Sequence, residues 1–173
     1  MNMTAAIENL GIVGIGTVID EVKFIHPSVK IYHKCVIRDG VSIGEGSIIG
    51  HLVLIERDTS IGCFTTIQSQ CHITADASIG DYCFFGPMVL MSNERRIANH
   101  GRCTPVLEGP KIGRGVRIGA GCYIAAGVEI GDNAFVYARS FISKNIPAGE
   151  IWSNIKGNGR ASKIGEVKPE EYL

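Results

Sequence analysis

Isoleucine returns at every sixth position along the first half of the chain: Ile19, Ile25, Ile31, Ile37, Ile43, Ile49, Ile55, Ile61, Ile67, Ile73 and Ile79 share one phase. Phe85 and Met91 continue it, and after an interruption it resumes at Ile112, Ile118, Ile124 and Ile130, then at Val136 and Ile142. The residue two before each of these is small or β-branched, from Thr17, Val29, Cys35 and Ser47 to Thr65, Cys122 and Ser140, with Lys23 and, at the end of the interruption, Pro110 the exceptions. Two apolar or small positions flanking one variable position are the alternation of a strand. Turn formers follow each pair, as in Gly44-Glu45-Gly46, Gly80-Asp81, Gly113-Arg114-Gly115 and Gly131-Asp132-Asn133. Each hexad therefore predicts a short strand and a corner, with Ile inside and Gly or Asn allowing the bend.

Nothing in the pattern has the three- and four-residue spacing of an amphipathic helix. An open sheet needs strands longer than a corner every six residues allows. What remains is an all-β solenoid whose coils hydrogen-bond to the coils above and below. Three hexads to a coil predict roughly six coils, each rising ~4.8 Å. The hexads place the solenoid domain over residues 1–148, with an inserted loop at 92–110 and a C-terminal tail at 149–173.

Composition narrows the context. Formal net charge is zero, with 17 basic and 17 acidic residues, so no electrostatic signature of nucleic acid or of an anionic membrane is present. The apolar stretch Leu10–Ile19 is short, rich in glycine and preceded by no basic region, and reads as the opening of the solenoid rather than as a leader. No segment has the length of a membrane span, and the expected location is cytoplasmic. Of six cysteines, Cys35, Cys71, Cys83 and Cys122 occupy the small inward position, where a reduced thiol behaves as a small hydrophobe. No ligand spacing for a metal is present, and none is expected.

The interruption is the candidate site. Met91 and Ile112 are 21 residues apart, not a multiple of six, so a segment leaves the solenoid between them. It is polar and carries Asn93, Arg95, Arg96, His100 and Arg102. A long excursion from a rigid repeat is where function concentrates. His72 takes an outward position one coil earlier and is expected beside Asn93. Arg38, Glu56, Thr74 and Ser92, spaced by 18, form a column leading up to the loop. This column reads either as a salt-bridged ladder or, through Glu56, as a substrate contact. His26, His33 and His51 lie in earlier coils and read as surface residues.

At motif level the chain from Phe84 to Gly165 resembles the hexapeptide-repeat acyltransferases, and more narrowly the enzymes that N-acetylate nucleotide-linked amino sugars. The resemblance rests on three segments. The first is Phe85-Gly86-Pro87, with the strand that follows it and ends at Asn93; the second is Ser143-Lys144-Asn145-Ile146-Pro147; the third is Gly157-Asn158-Gly159-Arg160-Ala161-Ser162-Lys163-Ile164-Gly165. The tail departs from the family form in having Gly159-Arg160 where the family has proline, and the corner at Tyr137-Ala138-Arg139 is bulkier than usual. The resemblance implies a left-handed parallel β-helix, a homotrimer with sites between subunits, and acetyl-CoA as co-substrate. It implies a nucleotide-linked amino sugar as acceptor, in cell-surface polysaccharide synthesis. Corner residues Ala120, Ala126 and Ala138 are then expected along the pantetheine, Lys144, Arg160 and Lys163 at the CoA phosphates, and Arg95, Arg96 and Arg102 at the sugar diphosphate. Asn93, His72 and His100 are the candidates for orienting the acceptor and moving its proton. A His-dependent O-acetyltransferase is the first alternative. A non-catalytic repeat scaffold is the second, and a metal-bound hydratase-like trimer would need a histidine set that the sequence does not display.

Overall fold

The computed structural model describes residues 11–95 and 106–153. Each hexad folds as expected, into a two-residue strand followed by a corner, and twenty-one such strands stack into three parallel sheets of eight, seven and six strands. Consecutive strands pass to the next sheet in turn, until the last step, where an isolated Ile130–Ile146 bridge stands in for a strand of the third side; the sheets are thus the three sides of a prism of about seven coils, one more than the hexads alone predict. The surplus comes from both ends: Ile12–Val13 pairs with Lys30–Ile31, and Ile151–Trp152 pairs with Phe135–Val136. The prism therefore runs through Trp152, past the boundary expected at 148. Among the described residues there is no helix, and so none long and apolar enough to cross a membrane.

The register explains the period. On the first side Lys30, Ile48, Thr66 and Phe84 pair in sequence, each 18 residues from the next. A residue therefore meets its own equivalents above and below, and the Ile column packs on itself. Ile31, Ile37, Ile43, Ile49, Ile55, Ile67 and Ile73 are fully buried, as is Phe85. Burying each such side chain is worth ~1.5–3 kcal/mol. Only side-chain faces meet in the centre, because the backbone groups are spent on the ladders between coils.

The corners differ from expectation. The backbone is left-handed at most corners, yet ten of the seventeen residues concerned are not glycine; Leu52, Phe64, Tyr82 and Met88 are among them. Such a conformation costs a non-glycine residue ~1–2 kcal/mol. Part of the cost is offset where corner side chains stack along an edge: Phe64 lies on Tyr82 with centroids 5.4 Å apart, and the Arg114 guanidinium sits 4.8 Å from the Tyr82 ring centre.

The small inward position also differs. Where it holds a hydroxyl or a thiol it is also a hydrogen-bonding position, Ser140 excepted. Thr17, Ser47, Thr59 and Thr65 each donate a hydroxyl to the carbonyl 15 residues on, at 2.8–3.0 Å. The thiols of Cys35, Cys71 and Cys122 do the same to Gly50, Gly86 and Tyr137. Cys83 keeps the pattern across the insertion by reaching the Gly113 carbonyl at 3.1 Å, 30 residues on. The cysteines thus act as weak donors in place of Ser or Thr, satisfying a corner carbonyl of the next coil.

Burial pushes the Cys71 thiol up from its ordinary 9.0 to about 11 and the Cys83 thiol to about 12. Because the folded pKa values are raised, the folded state holds these protons more tightly than the unfolded chain. Their contribution to stability is complete below about pH 9 and is lost as pH climbs through 11 to 12. Chemical unfolding midpoints are therefore expected to hold up to pH 9 and fall above it, and Cys71→Ser with Cys83→Ser is expected to flatten that fall. Iodoacetamide at pH 8 is expected to label the half-buried Cys63 well before Cys71 or Cys83, read by peptide mass spectrometry.

Candidate active site

The second side of the prism carries the outward row Val18, Val36, Leu54, His72, Leu90, Tyr123 and Phe141. One imidazole stands in an otherwise apolar and aromatic row. The corner that follows this side is where the chain leaves the prism. Ser78 pairs with Lys111 and Ile79 with Ile112, separations of 33 rather than 18, so the detour adds fifteen residues and the ladder resumes in register.

The base of the detour is built from backbone. Glu94 and Leu107 form an antiparallel bridge, the Glu108 N–H donates to the Asn93 carbonyl at 2.7 Å, and the Gly127 N–H donates to the Glu108 carbonyl at 2.7 Å. The returning strand passes against the corner below it, and a Cβ at Gly109 would run into the Asp76 carbonyl. Glycine is required there by the close approach. Arg95 donates through Nε to Glu108 Oε2 over Gly127, where a side chain would meet both partners at 2.6 Å.

These elements enclose a cleft of about 480 Å³ lined by Glu56, Arg57, His72, Thr74, Asn93, Glu94, Leu107 and Tyr123, among others. His72 and Asn93 are brought together, as their spacing predicts. Asn93 Nδ2 donates to the Ala75 carbonyl at 3.4 Å, and a carbonyl partner requires the amide nitrogen on that side. Asn93 Oδ1 is then the atom left to accept from a ligand.

His72 has a partner that sequence reasoning missed. Its Nε2 lies 2.8 Å from Glu56 Oε1, while Glu56 Oε2 accepts from the Ala75 N–H at 3.2 Å. A carboxylate only accepts, so Nε2 carries the proton and Nδ1 holds the lone pair. The carboxylate thus sets both tautomer and ring orientation. Spacing of 18 had grouped Glu56 with Arg38, Thr74 and Ser92, but the real contact spans 16 residues, one coil up and two residues back. The column is a ladder only at its lower rung: Arg38 pairs with Asp20, also 18 residues away, at 3.1 Å, whereas Glu56 turns to His72 and Thr74 is buried.

Other expected residues are placed less compactly. Ala120 and Ala138 share the edge between the first and second sides, whereas Ala126 lies on the next edge, beside the insertion. Ala126 lines a second cleft with Ser92, Glu94, Arg95, Tyr123, Ala125, Phe141 and Ser143, continuous with the first through Ser92, Glu94 and Tyr123. Tyr123 and Phe141 stack within it, 5.4 Å apart. Lys144 is exposed just after Phe141–Ile142. His100, Arg96, Arg102, Arg160 and Lys163 lie outside the described residues. No group of three or more metal-ligating side chains occurs among the described residues.

Comparison with known proteins agrees with this architecture. Residues 23–57 and 109–144 match the family described as bacterial transferase hexapeptide (six repeats). Those two stretches are hexapeptide repeats of that family, and the solenoid they belong to is a left-handed parallel β-helix. It is 28% identical over 144 residues to the bifunctional protein GlmU of Clostridium botulinum, covering 80% of this chain and 26% of that protein. The chain thus spans about a quarter of the length of that curated relative. In structure it is similar to a point mutant of AntD, an N-acyltransferase from Bacillus cereus, in complex with dTDP and coenzyme A. The TM-score there is 0.64 at 14% identity, over 99% of this chain and 92% of that one. It is also similar to the acetyltransferase domain of PglB from Neisseria gonorrhoeae, with a TM-score of 0.58 at 16% identity, over 81% and 56% of the two chains. At these identities the structural likeness establishes the fold.

Proposed function

We propose that this protein is an acetyl-CoA-dependent N-acetyltransferase acting on the amino group of a nucleotide-linked amino sugar, in cell-surface polysaccharide synthesis. The observation that carries the reading is the convergence of His72, Glu56 and Asn93 on one cleft at the base of the insertion. The transferase family and an N-acyltransferase neighbour bound to dTDP and coenzyme A support it. We further propose a cytoplasmic homotrimer. The exposed row of Val18, Leu90, Tyr123 and Phe141 offers the apolar surface that a neighbouring copy would cover.

The residues fit the donor. The cleft lined by Tyr123, Phe141, Ala125 and Ala126 is wide, shallow and bordered by small corner residues, which suits an extended pantetheine arm. Acetyl-CoA supplies an activated thioester carbonyl. A sugar amine is mostly protonated at neutral pH and must lose a proton to attack. His72 Nδ1 takes that proton, and Glu56 stabilises the imidazolium that forms. Asn93 Oδ1 accepts from a second amine N–H and aims the nitrogen lone pair at the carbonyl. The N–C bond forms and the C–S bond breaks; the proton that His72 took passes to the departing thiolate, and the second proton that the nitrogen sheds on becoming an amide goes to solvent.

The test is thiol release from acetyl-CoA with a panel of nucleotide-linked amino sugars and the matching hydroxy sugars. Turnover is expected with amino acceptors alone, and Asn93→Ala is expected to lower it by ~10–100-fold, the loss of one or two oriented hydrogen bonds. Turnover with hydroxy sugars instead would establish the O-acetyltransferase reading, which the oriented imidazole could also serve. No release with any acceptor would leave a repeat scaffold.

A further inference from the structure

Among the described residues of the insertion, the arginine Arg95 is committed to Glu108 against Gly127. A different pair of arginines lies on the other flank of the site. Below the His72 cleft, and sharing Glu56 and Arg57 with it, is a further cleft of about 410 Å³ lined by Val36, Arg38, Asp39, Leu54, Glu56 and Arg57. Its two guanidiniums sit on successive coils of the edge that follows the second side. Resting on the reading of the protein as an acyltransferase of nucleotide-linked sugars, we propose that Arg38 and Arg57 form the subsite for the acceptor's diphosphate. The two substrates then enter the trough from opposite ends and meet at His72.

Charge chemistry favours this seat. Arg38 and Arg57 are each about half exposed, and each is paired through Nη1 with an aspartate at 3.1 Å, Asp20 and Asp58. Exposed pairs of this kind hold weakly, at ~0–1 kcal/mol. The remaining guanidinium N–H groups form the fork that suits phosphate oxygens. The carboxylates lining the cleft are already engaged. Asp39 accepts from the Glu21 N–H at 3.1 Å, and Glu56 is held by His72 and the Ala75 N–H.

Distance selects the acceptor over the donor as the source of the phosphates. Arg57 is one coil below Ala75 and Arg38 two coils below Thr74, so the pair sits ~5–10 Å along the prism axis from the reacting centre. A hexose ring bridges that gap between its amino nitrogen and its glycosidic phosphate. The pantetheine arm of coenzyme A is several extended amide-length units, at ~3.5 Å each, and overshoots it. At the opposite end of the trough, beside Tyr123 and Phe141, the only cation among the described lining residues is Arg95, which is committed to Glu108.

Calorimetric titration of the full chain with inorganic pyrophosphate, with uridine, thymidine and guanosine diphosphates, and with coenzyme A tests the assignment without needing turnover. Arg57→Ala and Arg38→Ala are each expected to weaken the nucleoside diphosphates by ~10–100-fold, the loss of charge-assisted hydrogen bonds. Arg57→Lys is expected to recover part of that loss, and coenzyme A is expected to bind all variants alike. Lys111→Ala, on the third side and paired with Glu129, is the control for net charge and is expected to change nothing. Unchanged nucleoside diphosphate binding in both arginine variants overturns the subsite, as does an equal loss for coenzyme A. Failure of the acyl-transfer reading looks different: diphosphate binding would still depend on Arg38 and Arg57 while no amino sugar released thiol.

Discussion

His72→Ala is expected to lower thiol release from acetyl-CoA by ~10²–10⁴-fold at neutral pH, the range over which a positioned base contributes. The imidazole is about a third exposed, and its removal leaves no buried charge unpaired, so the melting temperature is expected to change little. Two further readings separate proton transfer from mere packing. Glu56→Gln keeps the shape but offers an amide that can present its NH2 to Nε2. This favours the other tautomer, with the proton on Nδ1 where the base must be free. Activity is expected to fall nearly as far as in His72→Ala. Raising the pH, which deprotonates the acceptor amine in solution, is expected to restore part of the rate in His72→Ala. A rate in that variant equal to the wild type at every pH would falsify the base assignment.

Phe85→Ala is expected to cost ~3–5 kcal/mol, the usual range for deleting a buried aromatic ring. Phe85 is fully buried and takes the place of Ile in the inner column, so its ring fills a volume that neighbours of fixed register cannot close. Ile67 and Ile118 are its partners below and above. In a repeat fold a defect is felt mainly by adjacent coils. Amide exchange is therefore expected to accelerate most around Thr66–Ile67, Phe84–Phe85 and Arg117–Ile118, and much less at Lys30–Ile31. A uniform acceleration along the whole prism would show instead that it melts as one unit.

Most of the scaffold is legible from spacing alone. The Ile phase identifies inward positions, and the 21 residues between Met91 and Ile112 equal one hexad plus fifteen, the size of the detour that the ladder confirms. Two kinds of feature are not legible that way. One is chemistry that depends on coil pitch: the donor at the small inward position reads as packing until the carbonyl 15 residues on is known to sit beside it. The other is any contact made diagonally between coils. Glu56 and His72 are 16 apart, off the 18-residue stacking rule, because the side chains lean along the strand direction to meet. The left-handed corners at Leu52 and Met88 are likewise opaque, since neither residue type advertises a positive φ. Asn93 is legible because it lies two residues past Met91, the last inward position before the interruption, and His72 because strand alternation points it outward on the same side.

The in-register return of the insertion makes catalytic specificity and folding separable inheritances. A segment that departs and rejoins at one corner, leaving Ser78 facing Lys111 as though nothing intervened, can lengthen, shorten or be exchanged without the coils on either side repacking. Removing fifteen residues between Met91 and Ile112 would restore the unbroken six-residue spacing and leave a plain prism. Exchange of that segment thus leaves the isoleucine column under its own, independent selection.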